Sequence, residues 1–100
     1  MPELYFHETK SAAILIKALK EEGFEVQEGV DGIPTAFIGT WGSGKPVIGI
    51  LGEFDALPSL SQEAGCWEHK EIVKGGPGHG CGHNALGAGA MAAAVAAKDY

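Results

Sequence analysis

Positive charge is scarce in this 100-residue chain: seven Lys and Arg stand against 13 Asp and Glu, leaving a net charge of -6. No cluster of basic residues is present, which excludes the surface that nucleic acid or an anionic membrane needs for phosphate contact. Small molecules or other proteins remain as partners. Long hydrophobic runs are also missing. The longest nearly apolar stretch, 85–97, is too short for a bilayer core of about 30 Å, which takes about 20 helical residues. The start, MPELYFHETK, lacks the basic opening and apolar run of a signal peptide. A cytoplasmic location is therefore expected. Only Cys66 and Cys81 carry thiols. Nothing implies export, so a thiol beside histidines reads as a ligand or nucleophile before it reads as half of a disulfide.

What is present describes a globular segment. Hydrophobic residues make up 45% and charged residues 20%, which argues against disorder. The length allows one domain, or part of one. Between Leu4 and Glu22, Ala12, Leu15, Ile16 and Leu19 recur at helical spacing, with Lys10, Lys17 and Glu21 on another face and Gly23 as the stop. Phe24 to Val30 and Thr35 to Trp41 are rich in aromatic and β-branched residues around a turn-forming stretch, 29–34, and predict two paired strands. Val47 to Leu51 is apolar without alternation, which predicts a central strand covered on both faces. From Pro58 to Gly82 no period holds, and a loop this long inside a small domain is either functional or disordered. Asn84 is placed to cap a tightly packed, buried helix from Ala85 to about Lys98.

The segment 39–45, GTWGSGK, imitates a phosphate loop. Pro46 follows where Ser or Thr should bind Mg²⁺, and a strand is expected where that motif needs a helix, so a turn is the reading. Glu53 and Asp55 sit at alternate positions beyond the expected central strand, where open α/β sheets bind ligands. The stretch GGPGHGCGHNALG, 75–87, places His79, Cys81 and His83 at alternate positions among glycines. In an extended segment these side chains share a side, and the glycines let the backbone close around an ion. Thiolate and imidazole are the donors that Zn²⁺ and similar metals prefer. Two other readings stay open: loop histidines beside a small buried thiol, and a nucleophilic Cys81 activated by a histidine. His7, His69, Cys66 and Trp67 show no constellation.

Two motifs in this order, LGEFDALPSLSQ at 51–62 and GHGCGHNALG at 78–87, resemble the metal-dependent amidohydrolase and aminoacylase branch of a large metallopeptidase family. PELYFHETKSA at 2–12 and GIPTAFIGTWGSGKPVIG at 32–49 fit the same likeness, which covers nearly the whole chain. The resemblance implies that residues 1–100 are the N-terminal portion of an α/β catalytic, metal-binding domain with a partial mixed sheet flanked by helices. It implies Cys81 and His83 as metal ligands, with His83 placed to bridge if two ions bind. Asp55 would orient a ligand. Glu53 stands where many relatives carry a histidine ligand and this branch carries an acid, so it is not counted among the ligands. The implied cofactor is one or two divalent ions, Zn²⁺ or Mn²⁺.

Many members have Asp after the Cys-Gly-His and a further His two residues later, where this chain has Asn84 and Leu86. That departure moves the implied substrate toward p-aminobenzoyl-glutamate or a similar aryl-acyl conjugate. The remaining parts of such an enzyme, a glutamate pair, further histidine ligands and an inserted dimerisation domain, are absent here. A fragment of a longer homodimeric or hetero-oligomeric parent is therefore expected, inactive alone. The competing class is a small non-catalytic metal-binding or interaction module with a structural ion at Cys81 and His83.

Overall fold

The computed structural model of the chain describes residues 2–44, 46–62, 64–65 and 68–99. Lys45, Cys66 and Trp67 lie outside the described residues, and so does any pairing of Cys66 with Cys81.

Helix α1 runs Thr9–Glu21, five residues later than its apolar period suggests. Residues 5 and 6 turn instead, with Phe6 at φ 61°. Leu4 makes an isolated parallel bridge to Ala56. The first turn of α1 is capped from a distance. The Glu3 carboxylate accepts from the Ser11 N–H at 2.6 Å, the Lys10 N–H at 3.2 Å and the Ser11 hydroxyl at 2.8 Å. These are among the donors that a helix start leaves unpaired. Burial alone would raise the Glu3 pKa, but these hydrogen bonds reverse the shift and hold it below its ordinary 4.5. Glu8, itself buried, accepts from the Thr35 hydroxyl at 2.7 Å and ties the helix start to the loop after the first strand. At the other end Gly23 takes φ 88°. Its N–H donates to Lys20 O and that of Phe24 to Leu19 O. This paired closure is the Schellman stop that favours glycine.

Strand β1, Glu25–Glu28, pairs antiparallel with β2, Phe37–Thr40, in the register Val26 to Gly39 and Gln27 to Ile38. The pairing agrees with expectation. The turn between them uses Gly29 at φ 65° and a short 3-10 segment, Val30–Gly32. Gly39 lets α1 lie on the ribbon, since a Cβ there would sit 3.0 Å from Leu19 Cδ1.

The expected central strand does not form. Residues 47–51 have no ladder partner among the described residues, and Val47, Ile48 and Leu51 are 86%, 76% and 88% exposed. An apolar strand of this kind needs neighbours on both edges and layers on both faces, whereas the described residues supply one two-stranded ribbon already paired with itself. Among the described residues the sheet is accordingly antiparallel rather than mixed; of the segment 39–45 read as a turn, Gly39 and Thr40 belong to β2 and Lys45 lies outside the described residues. Among the described residues the fold is a small α/β assembly of two α-helices and this ribbon.

Helix α2 spans His83–Asp99. Asn84 lies inside its first turn and does not cap it. The Gly82 carbonyl accepts from the Ala85 and Leu86 N–H groups at 3.0 and 3.1 Å, with Gly82 at φ 82° turning the chain into the helix. Nor is α2 buried all round. Gly87 is its buried residue, where the helix crosses the 52–54 backbone closely: a Cβ on Gly87 would lie 3.0 Å from Phe54 Cβ and 3.2 Å from Glu53 O. Its far end is held by Lys98, whose Nζ donates to Glu22 O at 2.8 Å, meets Glu22 Oε2 at 3.2 Å and stands 5.3 Å from the Trp41 ring centroid. An apolar crevice of about 230 Å³, lined by Leu15, Leu19, Phe37, Ile50, Ala90 and Met91 among others, remains between the helices and β2. The core is thin, with Ala12, Leu19 and Ala56 as its buried apolar residues among those described. The radius of gyration, 15.4 Å, exceeds the about 13 Å of a compact 100-residue domain.

Candidate metal centre

The site forms where the segment after 47–51 meets the N-terminal residue of α2. Ala56, 1% exposed, donates its N–H to Glu3 O at 2.6 Å and so fixes the strip 53–56 against the N-terminal segment. One residue on, Leu57 and Gly78 exchange two backbone hydrogen bonds of 2.9 Å, and Ser61 N–H donates to Gly76 O. These bonds lay the glycine-rich loop along the strip. Gly78 is required at that approach, because a Cβ would overlap the Leu60 carbonyl.

Other described residues of the long loop are pinned by side chains. The buried Ser61 hydroxyl accepts from the Ile72 and Val73 N–H groups at 3.2 and 3.0 Å. Gln62 spans Glu68 O and the Lys70 N–H at 2.6 and 3.0 Å. The described residues of 58–82 are thus held by backbone and side-chain hydrogen bonds.

His83 stands at the centre. Its Nδ1 is 2.6 Å from Asp55 Oδ1, and its Nε2 is 3.0 Å from Glu53 Oε2. The imidazole and Asp55 side chains are largely enclosed, 17% and 24% exposed, while Glu53 is 60% exposed. The alternate spacing of Glu53 and Asp55 thus brings both carboxylates to one ring. Sequence reasoning paired these acids correctly but left Glu53 without a role. The signal was the shared direction of alternate residues.

The three alternating donors do not converge. Alternation aims side chains together in extended backbone, but at Gly82 the chain turns into α2 and carries His83 away on a helix. The Cys81 thiol is free and exposed. Among the described residues no group of three or more His, Cys, Asp or Glu side chains is arranged so that it could hold a metal ion. His79 is placed differently again. Its Nδ1 is shut off from solvent without a hydrogen-bond partner among the described residues. Burial chiefly lowers its pKa below 6.5; nearby His83 acts in the same direction and Asp55 against it. A buried ring nitrogen without a partner is a polar atom that the described residues leave unsatisfied. That orphan, and an imidazole backed by a carboxylate, fit the donor chemistry of a divalent metal centre.

Comparison with known proteins finds curated relatives. The relatives are hydrolases of the amidohydrolase and peptidase family, as the paired motifs suggest. The chain is 52% identical over 99 residues to one of the subunits of the p-aminobenzoyl-glutamate hydrolase of Escherichia coli, a match that covers 99% of this chain and 21% of that protein. It is 38% identical over 85 residues to thermostable carboxypeptidases 2 and 1 of Saccharolobus solfataricus, covering 83% of this chain and 21% of each. The chain therefore spans about a fifth of the length of the curated relatives it matches. No family model and no solved structure matches it. Among the described residues no helix is long and apolar enough to cross a membrane.

Proposed function

We propose that this chain is the metal-holding portion of the catalytic domain of an amidohydrolase that cleaves the amide bond of an N-acyl amino acid. The substrate is p-aminobenzoyl-glutamate or a similar aryl-acyl conjugate. The observation that carries the reading is the 2.6 Å contact of His83 Nδ1 with Asp55 Oδ1. A carboxylate can only accept, so in the neutral ring Nδ1 carries the proton and Nε2 keeps its lone pair. A metal-binding histidine is characteristically held this way by its other nitrogen.

Cys81 and His83 would hold the ion, Zn²⁺ or Mn²⁺, one or two in number, and Asp55 would set the tautomer and orientation of His83. A bound divalent ion would polarise the amide carbonyl and lower the pKa of water to about 7. The rest of the machinery, a glutamate as proton carrier among it, would come from polypeptide corresponding to the remainder of the relatives' length. The parent enzyme would act in the cytoplasm as a homodimer or hetero-oligomer on a small-molecule amide, and the 100-residue chain alone would be inactive. The competing reading, a structural ion closed by four protein ligands, is separated from this one by metal removal, which would unfold the chain only if the ion were structural.

The test is Cys81→Ala in the full-length enzyme that contains this chain, with metal content and amide hydrolysis measured together. Loss of both is the expected result. Undiminished hydrolysis by a metal-free preparation of that enzyme refutes the reading.

A further inference from the structure

Glu3 joins α1 to the candidate site with two different parts of itself. Its carboxylate is fastened to the start of the helix. Oε1 accepts from the Ser11 N–H at 2.6 Å and the Ser11 hydroxyl at 2.8 Å, and Oε2 from the Lys10 N–H at 3.2 Å and the Thr9 hydroxyl at 3.5 Å. Its backbone carbonyl accepts from the Ala56 N–H at 2.6 Å, and the next residue, Leu4, bridges Ala56 in parallel. Ala56 is 1% exposed and adjoins Asp55, whose Oδ1 lies 2.6 Å from His83 Nδ1. A displacement of Glu3 therefore reaches Asp55 through one hydrogen bond and one peptide unit.

The chemistry at position 3 is specific. Donors converge on both oxygens, so both must accept, as a carboxylate does. Whichever way it flipped, an amide of the same shape would set its NH₂ against a backbone N–H, that of Ser11 or that of Lys10. Across the turn, Glu8 Oε1 accepts from the Phe6 N–H at 2.9 Å while Oε2 takes the Thr35 hydroxyl. The segment between the two acids is thus held at both ends and transmits the placement of α1 rather than absorbing it.

We infer that Glu3 is a positioning residue for the candidate metal centre: its carboxylate, docked on α1, sets through its own carbonyl the place of the strip that carries Asp55 to His83. The inference rests on the metal-centre reading above and extends it.

Two measurements separate this role from that of a helix cap alone. The first is amide hydrogen exchange in the 100-residue chain. Glu3→Gln should speed exchange at Ala56 about fivefold, the factor of a lost cap, beyond any change at the β1–β2 ladder. Lys98→Met, which cuts contacts at the far end of α2, should speed these amides alike. Ser11→Ala deletes one donor to Oε1 while raising helix propensity. It should speed Ala56 about twofold without speeding the ladder. The second measurement is the Zn²⁺ affinity of the full-length enzyme that contains this chain, read against a chromophoric chelator. Glu3→Gln should weaken it about tenfold, the lower end of the range for groups that support a ligating histidine, and Lys98→Met should leave it unchanged.

Exchange at Ala56 that rises no more than that of the ladder, in both Glu3→Gln and Ser11→Ala, overturns the inference. So does a Zn²⁺ affinity of Glu3→Gln equal to that of the parent enzyme; if Cys81→Ala and His83→Ala still abolish binding in that case, the metal-centre reading stands without Glu3. Zn²⁺ binding that persists in those two variants overturns the metal-centre reading, and the inference falls with it.

Discussion

Two glycines on α2 offer a differential test of the helix crossing that places His83. Gly87 and Gly89 lie on the same helix, two residues apart, and Gly→Ala gains about 1 kcal/mol of helix propensity at either position. Their surroundings differ. A Cβ on Gly89 meets nothing within 4 Å, whereas one on Gly87 meets Phe54 Cβ at 3.0 Å, Glu53 O at 3.2 Å and Leu15 Cδ1 at 3.8 Å. The two nearest of these are a backbone oxygen and a Cβ, neither of which swings aside, so the strip must shift by a few tenths of an ångström. Overpacking of this kind costs about 1 to 3 kcal/mol. Gly89→Ala should therefore stabilise the chain by about 1 kcal/mol, and Gly87→Ala should fall between neutral and about 2 kcal/mol destabilised once the same propensity gain is subtracted. The propensity term cancels in the comparison, leaving the contact alone. With a urea slope of about 1 to 3 kcal/mol per molar, the midpoints of the two variants should separate by on the order of 1 M in circular dichroism at 222 nm. Equal stabilisation of both variants would refute the crossing. The placement of His83 against Asp55 and Glu53 would fall with it.

Two further perturbations address the rest of the frame. Glu3→Gln removes the remote cap of α1 and should cost about 1 kcal/mol near neutral pH. Because the folded pKa of Glu3 lies below its ordinary 4.5, its contribution is complete above that value and is lost as pH falls through the folded pKa. Urea midpoints of parent and variant should therefore converge in acid, and a gap that stays constant with pH contradicts the capping role. Lys98→Met severs the contacts to the Glu22 carbonyl and carboxylate and to the Trp41 face. A loss of about 1 kcal/mol is expected, read from thermal melts, and an unchanged melting temperature would show that α1 and α2 are joined elsewhere.

The elements that were legible in advance are those whose signals are local. Ala12, Leu15 and Leu19 mark α1 by their period, and Gly23 ends it because the stop needs a positive φ within the same few residues. The β1 and β2 ribbon follows from two β-prone runs and the turn between them, and the alanine-rich run from 85 onward makes a helix from propensity. The misplaced boundaries have equally local causes. Glu3 and Glu8 hold the first residues in a turn and delay α1, and the Gly82 carbonyl takes the capping position assigned to Asn84.

By itself the amino-acid order determined which segments coil, extend and turn, and which donor types lie close together between Glu53 and His83, because those properties reside in bonds and torsions within each segment. Tertiary structure alone decided how they meet. It left Val47 to Leu51 uncovered, since burial of an apolar strand depends on neighbours that the strand cannot specify. It turned His83 away from the line of Cys81 and set its ring between two carboxylates, of which Asp55 is 28 positions distant in the chain. Contacts at that range depend on where the bridge at Leu57 and the crossing at Gly87 bring the backbone, and no spacing rule within a single segment encodes them.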